Sequence, residues 1–168
     1  APPGRLGSSA FGEPAVKIMD ILVRDAVILD VEATTKRDLL VELSDSLSRC
    51  EPGVEGERLL SVLLEREELQ STGIGDGVAI PHGKMPGLSR LVASFARSRD
   101  GLDFESIDGQ PSHLFFLLVV PEHSGGQHLK ALARISRFFR DAAFRKALLE
   151  ADSLDAVFRA IEEEDAKF

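Results

Sequence analysis

Residues 114–120 read LFFLLVV, a run of seven apolar side chains with no polar residue at any position. A strand that is solvated on one face alternates apolar and polar residues, whereas a strand covered on both faces is apolar throughout. The run therefore predicts the central strand of a sheet that has helices on both faces. We expect an α/β fold in which a mixed β-sheet is sandwiched by helices.

Helical patterns precede and follow this strand. Thr35 can cap a helix whose leucines recur at helical spacing up to the break at Pro52-Gly53, and a second helix covers Leu59 to Leu69. Two short helices are expected at 142–149 and 153–163, the latter with Ser153 as its N-cap. Between the strand and these helices, a helix that begins near Gln127 is expected to bury Leu129, Leu132, Ala133, Ser136 and Phe139.

Shorter segments have less regular patterns. Residues 18–31 are rich in apolar side chains and predict a strand or an extended lead-in. Strands are predicted at 78–80 and 91–96, with a turn at 97–101 after the second of them. The acidic residues at 162–165 predict a solvated end of the last helix.

The composition excludes several classes of partner. The 168 residues include 20 Lys and Arg against 28 Asp and Glu, a formal net charge of -8, which disfavours nucleic acid and anionic membrane surfaces. Cys50 is the single cysteine and has no partner for an internal disulfide. No apolar run is long enough for a signal peptide core or a membrane span, so we expect a cytoplasmic protein. Residues 1–14 suggest a disordered tail, an expression remnant or a processed end, and 15–168 a single folded domain.

The glycine-dense loop at 71–77 does not match a nucleotide-binding motif. A Walker A motif that ends at Gly83-Lys84 would need Gly at 78 and Ser or Thr at 85, where the chain has Val78 and Met85. The dinucleotide motif G-x-G-x-x-G fails because the glycines alternate as G-x-G-x-G. The loop alone predicts a tight turn with positive φ angles.

His82 follows this loop and is the candidate nucleophile. It lies between Pro81, which restricts the backbone, and Gly83, which adds no side chain that could block an approaching partner. A neutral imidazole is a competent nucleophile near pH 7, because its unperturbed pKa is about 6.5.

Candidate phosphate-binding groups lie on both sides of this nucleophile. Phosphoryl transfer needs donors and positive charge at the equatorial oxygens. Arg66 precedes the loop, the hydroxyls of Ser71 and Thr72 stand at its start before the glycines, and His128 falls in the first turn of a predicted helix after Gly125-Gly126. If the strands at 78–80 and 114–120 are neighbours, their carboxyl ends bring His82 and His128 together.

A metal site is disfavoured. Glu122, His123 and His128 cluster in the sequence, but there is no H-E-x-x-H motif and no pair of cysteines. We therefore predict no metal and no other cofactor. His113 is expected at a strand edge, and His123 is expected to face solvent.

These stretches together resemble a known family. Residues 66–67 and 71–84, and then 115–121 and 128–132, are similar to the active-site region of the bacterial phosphotransferase-system (PTS) enzyme IIA domain of the fructose, mannitol and nitrogen-regulatory type. The resemblance extends over about residues 18–165. It implies that His82 is phosphorylated on Nε2, that His128 binds the phosphate and that Arg66 helps to neutralise its charge.

The resemblance also implies a partner and a role. The phosphoryl donor would be a phosphohistidine carrier protein, HPr or its nitrogen-branch relative, and the chain would be a phosphotransferase component. We favour a regulatory protein of nitrogen and potassium metabolism that acts by binding other proteins, such as kinases or transporters. One alternative is the IIA component for fructose or mannitol uptake, which passes phosphate to a IIB domain. Two others are a non-catalytic protein-binding regulator and a metal-dependent hydrolase.

Overall fold

The apolar run forms the central strand of the computed structural model, which describes residues 16–168. The predicted tail at 1–14 lies outside the described residues. In chain order, the elements are α1 (Ile18–Ile21), a 3-10 turn at Arg24–Ala26, α2 (Lys36–Cys50), α3 (Gly56–Leu69), β1 (Gly73–Gly75), β2 (Val78–Ala79), β3 (His82–Met85), β4 (Val92–Leu102), β5 (Ser112–Pro121), α4 (Gln127–Arg140), α5 (Ala142–Glu150) and α6 (Leu154–Lys167).

Strand β5 lies in the middle of the sheet and pairs with strands on both of its sides. Strand β4 pairs with it antiparallel on one side, and β2 and β3 pair with it parallel on the other. The two parallel strands keep one register, with Val78 opposite Leu114 and His82 opposite Leu118. They are one strand line interrupted before His82, because Pro81 has no N–H for a ladder hydrogen bond. The strands predicted at 78–80 and 114–120 are neighbours in the sheet, which was the condition for His82 and His128 to come together. His82, however, is the first residue of β3 and does not lie just after the end of the 78–80 strand.

Both faces of the sheet are covered by helices, as the apolar run predicts. Alternate residues of β5 enter different cores. Leu114, Phe116, Leu118 and Val120 pack in the core that includes α4, α5 and α6. Phe115, Leu117 and Val119 pack in the core that includes α2 and α3. The predicted mixed sheet between two helical layers is therefore confirmed.

Two predicted helix caps are present. The Thr35 hydroxyl accepts a hydrogen bond from the Asp38 N–H at 3.1 Å. The Ser153 hydroxyl accepts one from the Ala156 N–H at 3.1 Å. Each cap satisfies a backbone donor that the first turn of a helix leaves unpaired.

The prediction of a turn at 97–101 is wrong, since β4 continues to Leu102. The polar residues that suggested a turn include Arg97, which is only 1% exposed. Its guanidinium pairs with Asp30 at 2.9 Å and donates to the carbonyls of Leu148 and Ala151 at the end of α5. These partners let a charged side chain occupy a buried strand position.

The predicted strand or extended lead-in at 18–31 is also wrong in part. The segment contains α1 and the 3-10 turn and no strand. It meets β4 through isolated bridges between Leu22 and Ala93 and between Ile28 and Ala96, and the Val31 N–H donates to the Arg97 carbonyl at 2.8 Å. Asp165 stabilises the start of α1, because its carboxylate accepts hydrogen bonds from the N–H groups of Ile18 and Met19 at 2.9 Å each.

The predicted solvated acidic end of the last helix holds for Glu162 and Glu163 and fails for Glu164 and Asp165, which are buried. Asp165 also forms an ion pair with Arg134 of α4 at 3.1 Å. The carboxylate therefore ties α6 to α1 and α4.

The buried face of α4 is shifted from the predicted one. Ala131, Ile135, Phe138 and Phe139 are buried, so only Phe139 of the expected set is fully in the core, and Leu132 is half-buried. Leu129 is 62% exposed.

No helix within residues 16–168 is long and apolar enough to cross a membrane.

Candidate active site

A cavity of about 860 Å³ opens at the β3 edge of the sheet. Within the described part of the chain, β3 pairs with β5 alone, so its other edge has no neighbouring strand. Helix α3 from one layer and helix α4 from the other form the two walls. The charged and imidazole side chains of the lining are Glu65, Arg66, Glu68, His82, Lys84 and His128.

His82 is half-buried at the start of β3, and one of its ring nitrogens is already engaged. Its Nδ1 lies 2.8 Å from the carbonyl oxygen of Ile80. A carbonyl oxygen can only accept a hydrogen bond, so Nδ1 must carry the proton. In the neutral ring, the lone pair is then on Nε2, which is the nucleophilic nitrogen.

The pKa of His82 is lowered from its ordinary value, mainly because burial disfavours the charged ring. The positive charges of Arg66 and His128 lower it further, whereas the Ile80 hydrogen bond and the Glu67 carboxylate oppose the shift. The lowered pKa favours the neutral ring, which is the nucleophilic form, at pH 7.

Arg66 lies in the last turn of α3 and lines the same cavity as His82. Its guanidinium donates to the Gln70 carbonyl at 2.8 Å, which fixes the side chain near the end of the helix. A guanidinium has five N–H donors, so this hydrogen bond leaves others for an anion.

His128 lies in the first turn of α4, on the opposite wall. Its Nδ1 is 3.0 Å from the Gly125 carbonyl oxygen and 3.4 Å from the Ser124 hydroxyl. The Gly125 carbonyl assigns the Nδ1 proton here as well, so Nε2 can donate only when the ring is the imidazolium cation. The structure thus brings three of the five predicted site residues, His82, His128 and Arg66, to one cavity.

Ser71 and Thr72, the other two, do not line this cavity. The Ser71 hydroxyl donates to the Phe104 carbonyl at 2.8 Å, and the buried Thr72 hydroxyl donates to the Glu67 carboxylate. Both hydroxyls hold the loop in place and neither lines the cavity, so the structure does not bring them to His82 as the predicted phosphate contacts require.

The predicted tight turn with positive φ angles is present, but the glycine loop also contains strand β1, so the turn is a hairpin between β1 and β2. Gly75, Asp76 and Gly77 have φ angles of 96°, 57° and 76°, a region that glycine adopts without a steric cost. Gly83 has a different role from the predicted one, because a Cβ atom there would overlap Cγ1 of Val62 on α3. Its missing side chain lets α3 approach the strand that carries His82.

Two features of the site were missed at the level of sequence. Glu67 is 9% exposed and anchors the segment that precedes β1. In the sequence, the one indication of such a role was that Glu67 directly follows Arg66. Leu69 and Leu129 are 82% and 62% exposed and line opposite walls of the cavity. The sequence could have indicated the exposed Leu69, because it is an apolar residue in the otherwise polar last turn of α3.

The other histidines lie elsewhere. His113 donates from Nδ1 to the Ser98 carbonyl at 3.1 Å, and the exposed His123 lies 3.6 Å from the Glu122 carboxylate. Within residues 16–168, no group of three or more His, Cys, Asp or Glu side chains is arranged to hold a metal ion.

Comparison with known proteins gives consistent relatives. The sequence model described as "Phosphoenolpyruvate-dependent sugar phosphotransferase system, EIIA 2" matches residues 20–164. A nitrogen regulatory protein of Bradyrhizobium diazoefficiens is 40% identical over 144 residues, which cover 86% of this chain and 94% of that protein. The fructose-specific EIIABC component of Bacillus subtilis is 37% identical over 150 residues, which are 89% of this chain but only 24% of that longer protein.

The solved structures agree. The nitrogen regulatory protein IIA-Ntr of Neisseria meningitidis has a TM-score of 0.79 and 34% identity, over 84% of this chain and 97% of that one. The family match spans both helical layers and every strand, including the cavity between α3 and α4. The chain therefore belongs to the EIIA 2 family of the phosphoenolpyruvate-dependent sugar phosphotransferase system.

Proposed function

We propose that His82 accepts a phosphoryl group on Nε2 from a phosphohistidine carrier protein of the HPr type. The observation that carries this proposal is the hydrogen bond from Nδ1 to the Ile80 carbonyl at 2.8 Å, which leaves Nε2 as the nucleophile. The Nε2 lone pair attacks phosphorus, and the P–N bond of the donor breaks with its electron pair returning to the donor imidazole. The proton stays on Nδ1, and its hydrogen bond to the Ile80 carbonyl stabilises the positive charge that develops on the ring.

Arg66 and His128 supply the positive charge that the transferred group needs. They lie on opposite walls of the cavity and both act electrostatically on His82. Donors that are fixed before the reaction stabilise the charge of the transition state without reorganisation. We assign Arg66 to charge neutralisation and His128 to a hydrogen bond from its imidazolium Nε2.

For the biological role, we propose a regulatory phosphocarrier in nitrogen and potassium metabolism. The relatives named nitrogen regulatory protein support this role, because the match covers nearly their whole length. The fructose-specific relative from B. subtilis supports a second candidate, a IIA component that passes phosphate to a IIB domain during sugar uptake. In both cases we place the protein in the cytoplasm and treat residues 15–168 as one domain.

Phosphorylation in a reconstituted system tests the first proposal. Wild-type protein, phosphoenolpyruvate, enzyme I and an HPr-type carrier are expected to give one acid-labile phosphate per chain. His82→Ala should abolish it. His113→Ala is the matched control, because His113 is also half-buried and its Nδ1 also donates to a backbone carbonyl, but it does not line the cavity. Phosphate that persists in His82→Ala would disprove the proposal.

Transfer onward separates the two roles. Phosphorylated protein mixed with a fructose- or mannitol-specific IIB domain is expected to keep its phosphate if the protein is the regulator. Rapid transfer to IIB would instead identify the sugar-uptake component. If the wild type takes up no phosphate but still binds a partner, the chain is a non-catalytic protein-binding regulator.

A further inference from the structure

A chain of hydrogen bonds connects the interior of the protein to the ring of His82. Glu67 lies in the last turn of α3 beside Arg66, but its side chain is only 5% exposed. Its carboxylate accepts hydrogen bonds from the backbone N–H of Thr72, at 3.0 Å, and from the Thr72 hydroxyl. The Thr72 carbonyl in turn accepts from the Ile80 N–H at 3.0 Å, and the Ile80 carbonyl accepts from His82 Nδ1 at 2.8 Å.

These hydrogen bonds connect the Glu67 carboxylate to Nδ1 of His82, the ring nitrogen that does not take part in the proposed transfer. We propose that Glu67 is a positioning residue for His82, because it fixes Thr72 and Ile80 and thereby keeps the proton of the ring on Nδ1. The inference rests on the proposed function only for its effect on phosphoryl transfer. Its structural part concerns the unphosphorylated protein.

Glu67 is held as firmly as this role requires. The ammonium group of Lys36 lies 3.0 Å from its Oε1, so the buried carboxylate has a cation as well as two hydrogen-bond donors. A buried carboxylate without such partners would be strongly unfavourable. Lys36 is itself fixed by Glu105, at 3.1 Å, and by the ring of Phe104, whose centroid is 4.8 Å away.

The segment that Glu67 anchors has a second tether. The Ser71 hydroxyl donates to the Phe104 carbonyl and accepts from the Gly73 N–H at 3.1 Å. Thr72 is therefore held between α3 and the segment after β4. The backbone that presents the Thr72 carbonyl to Ile80 has little freedom while Glu67 is in place.

Substitutions at position 67 can separate geometry from charge. Glu67→Met keeps the side-chain volume and removes both acceptors. Glu67→Gln keeps an acceptor for the Thr72 N–H and a polar partner for its hydroxyl, and it removes the charge. Asp165→Asn is the matched control, because Asp165 is another buried carboxylate that accepts from two backbone N–H groups and pairs with an arginine, but it is not in the relay to His82.

The main measurement is the tautomer of the neutral His82 ring, from ¹⁵N chemical shifts in unphosphorylated protein. We expect the Nδ1–H tautomer in wild type, Glu67→Gln and Asp165→Asn, and a rise of the Nε2–H tautomer in Glu67→Met. The rate of phosphorylation should fall by roughly ten- to a hundredfold in Glu67→Met, as for a misplaced reacting group. It should be largely retained in Glu67→Gln.

Two results would overturn the proposal. Glu67→Met with the wild-type tautomer and rate would show that Glu67 has only a structural role. Glu67→Gln that behaves like Glu67→Met would show that the charge matters and the hydrogen-bond relay does not.

If Glu67→Met does not fold, Thr72→Val removes one bond of the relay, and an unchanged tautomer there counts against the proposal. Because the tautomer is read without phosphate, a wild type that is never phosphorylated would disprove the proposed function and leave this inference testable.

Discussion

His82 combines two local effects that favour a nucleophile at Nε2. Its Nδ1–H donates a hydrogen bond to the Ile80 carbonyl, and burial together with the positive charges of Arg66 and His128 lowers its pKa. In the proposed reaction, the same two side chains also receive the phosphoryl oxygens. At the scale of single residues, the proposal therefore makes activation of the nucleophile and neutralisation of the phosphate depend on the same side chains.

Arg66→Gln should change the pH profile of phosphorylation. The neutral ring is the reactive form, so the rate falls as the pH drops through the lowered pKa of His82. Removal of the Arg66 charge raises that pKa, so the decline should begin at higher pH, and the rate at neutral pH should fall by about ten- to a hundredfold. The pKa can be followed by NMR titration of the ring. Arg58 is exposed on the same helix, so Arg58→Gln is the control and should leave the His82 pKa and the rate of phosphorylation unchanged.

Gly83→Ala should destabilise the protein. The added Cβ would overlap Val62 Cγ1, and an overpacked contact of this kind costs about 1–3 kcal/mol. Val62→Ala in the same chain should restore most of the loss, which a double-mutant cycle in urea can measure. Gly126→Ala is the matched control, because nothing lies within 4 Å of a Cβ there. An unchanged midpoint for Gly83→Ala would contradict this packing role.

Helix α3 performs three tasks within its last turn. Arg66 lines the cavity, Glu67 turns into the interior, and Leu69 is 82% exposed at the rim. Helix α4 complements it from the opposite layer, with His128 in its first turn and Leu129 exposed beside it. The ends of two helices, rather than one loop, thus define the site.

Asp165→Ala should be among the more destabilising substitutions in the chain. It removes two hydrogen bonds to the start of α1 and leaves the nearly buried Arg134 without its carboxylate. Removal of one partner of a buried ion pair costs about 3–5 kcal/mol. Thermal or urea unfolding checks this value. Glu163→Ala, exposed on the same helix, should change stability by less than about 0.5 kcal/mol.

For the whole molecule, the location of the site follows from how the layers meet at the sheet edge. Helices α3 and α4 cover opposite faces, and their ends leave β3 accessible between them. The overall charge of -8 would repel a phosphorylated partner. In the proposed function, the attraction for the phosphoryl group therefore comes from side chains of the cavity itself, Arg66 and His128.

Leu69→Asp and Leu129→Asp should weaken docking of the carrier protein and leave the chemistry of His82 intact. Both side chains are exposed apolar groups that line the cavity, and burial of each would contribute to association. We expect the KM for the phosphorylated carrier to rise by about tenfold or more. The His82 tautomer should not change. Leu149→Asp, at an exposed leucine of α5 outside the cavity, should have no effect, and an equal loss there would contradict the docking role.

The sequence determined the architecture and pointed to His82 as the candidate nucleophile. The seven apolar residues at 114–120 specified a strand covered on both faces, because only such a strand has no polar position. The stretch around His82 and the position of His128 indicated a family and a shared site, and the structure brings both histidines to one cavity. These are local patterns, so they can be recognised without knowledge of the packing.

The tertiary structure alone decided which polar groups are buried and what they do. Arg97, Glu67 and Asp165 have the side chains of surface residues, but each is paired with partners distant in the sequence or in another element. Ser71 and Thr72 look like phosphate ligands in the sequence and are instead bonded to Phe104 and Glu67. The physical reason is that a buried charge or hydroxyl is stable only with compensating partners, and those partners are brought together only when the chain folds.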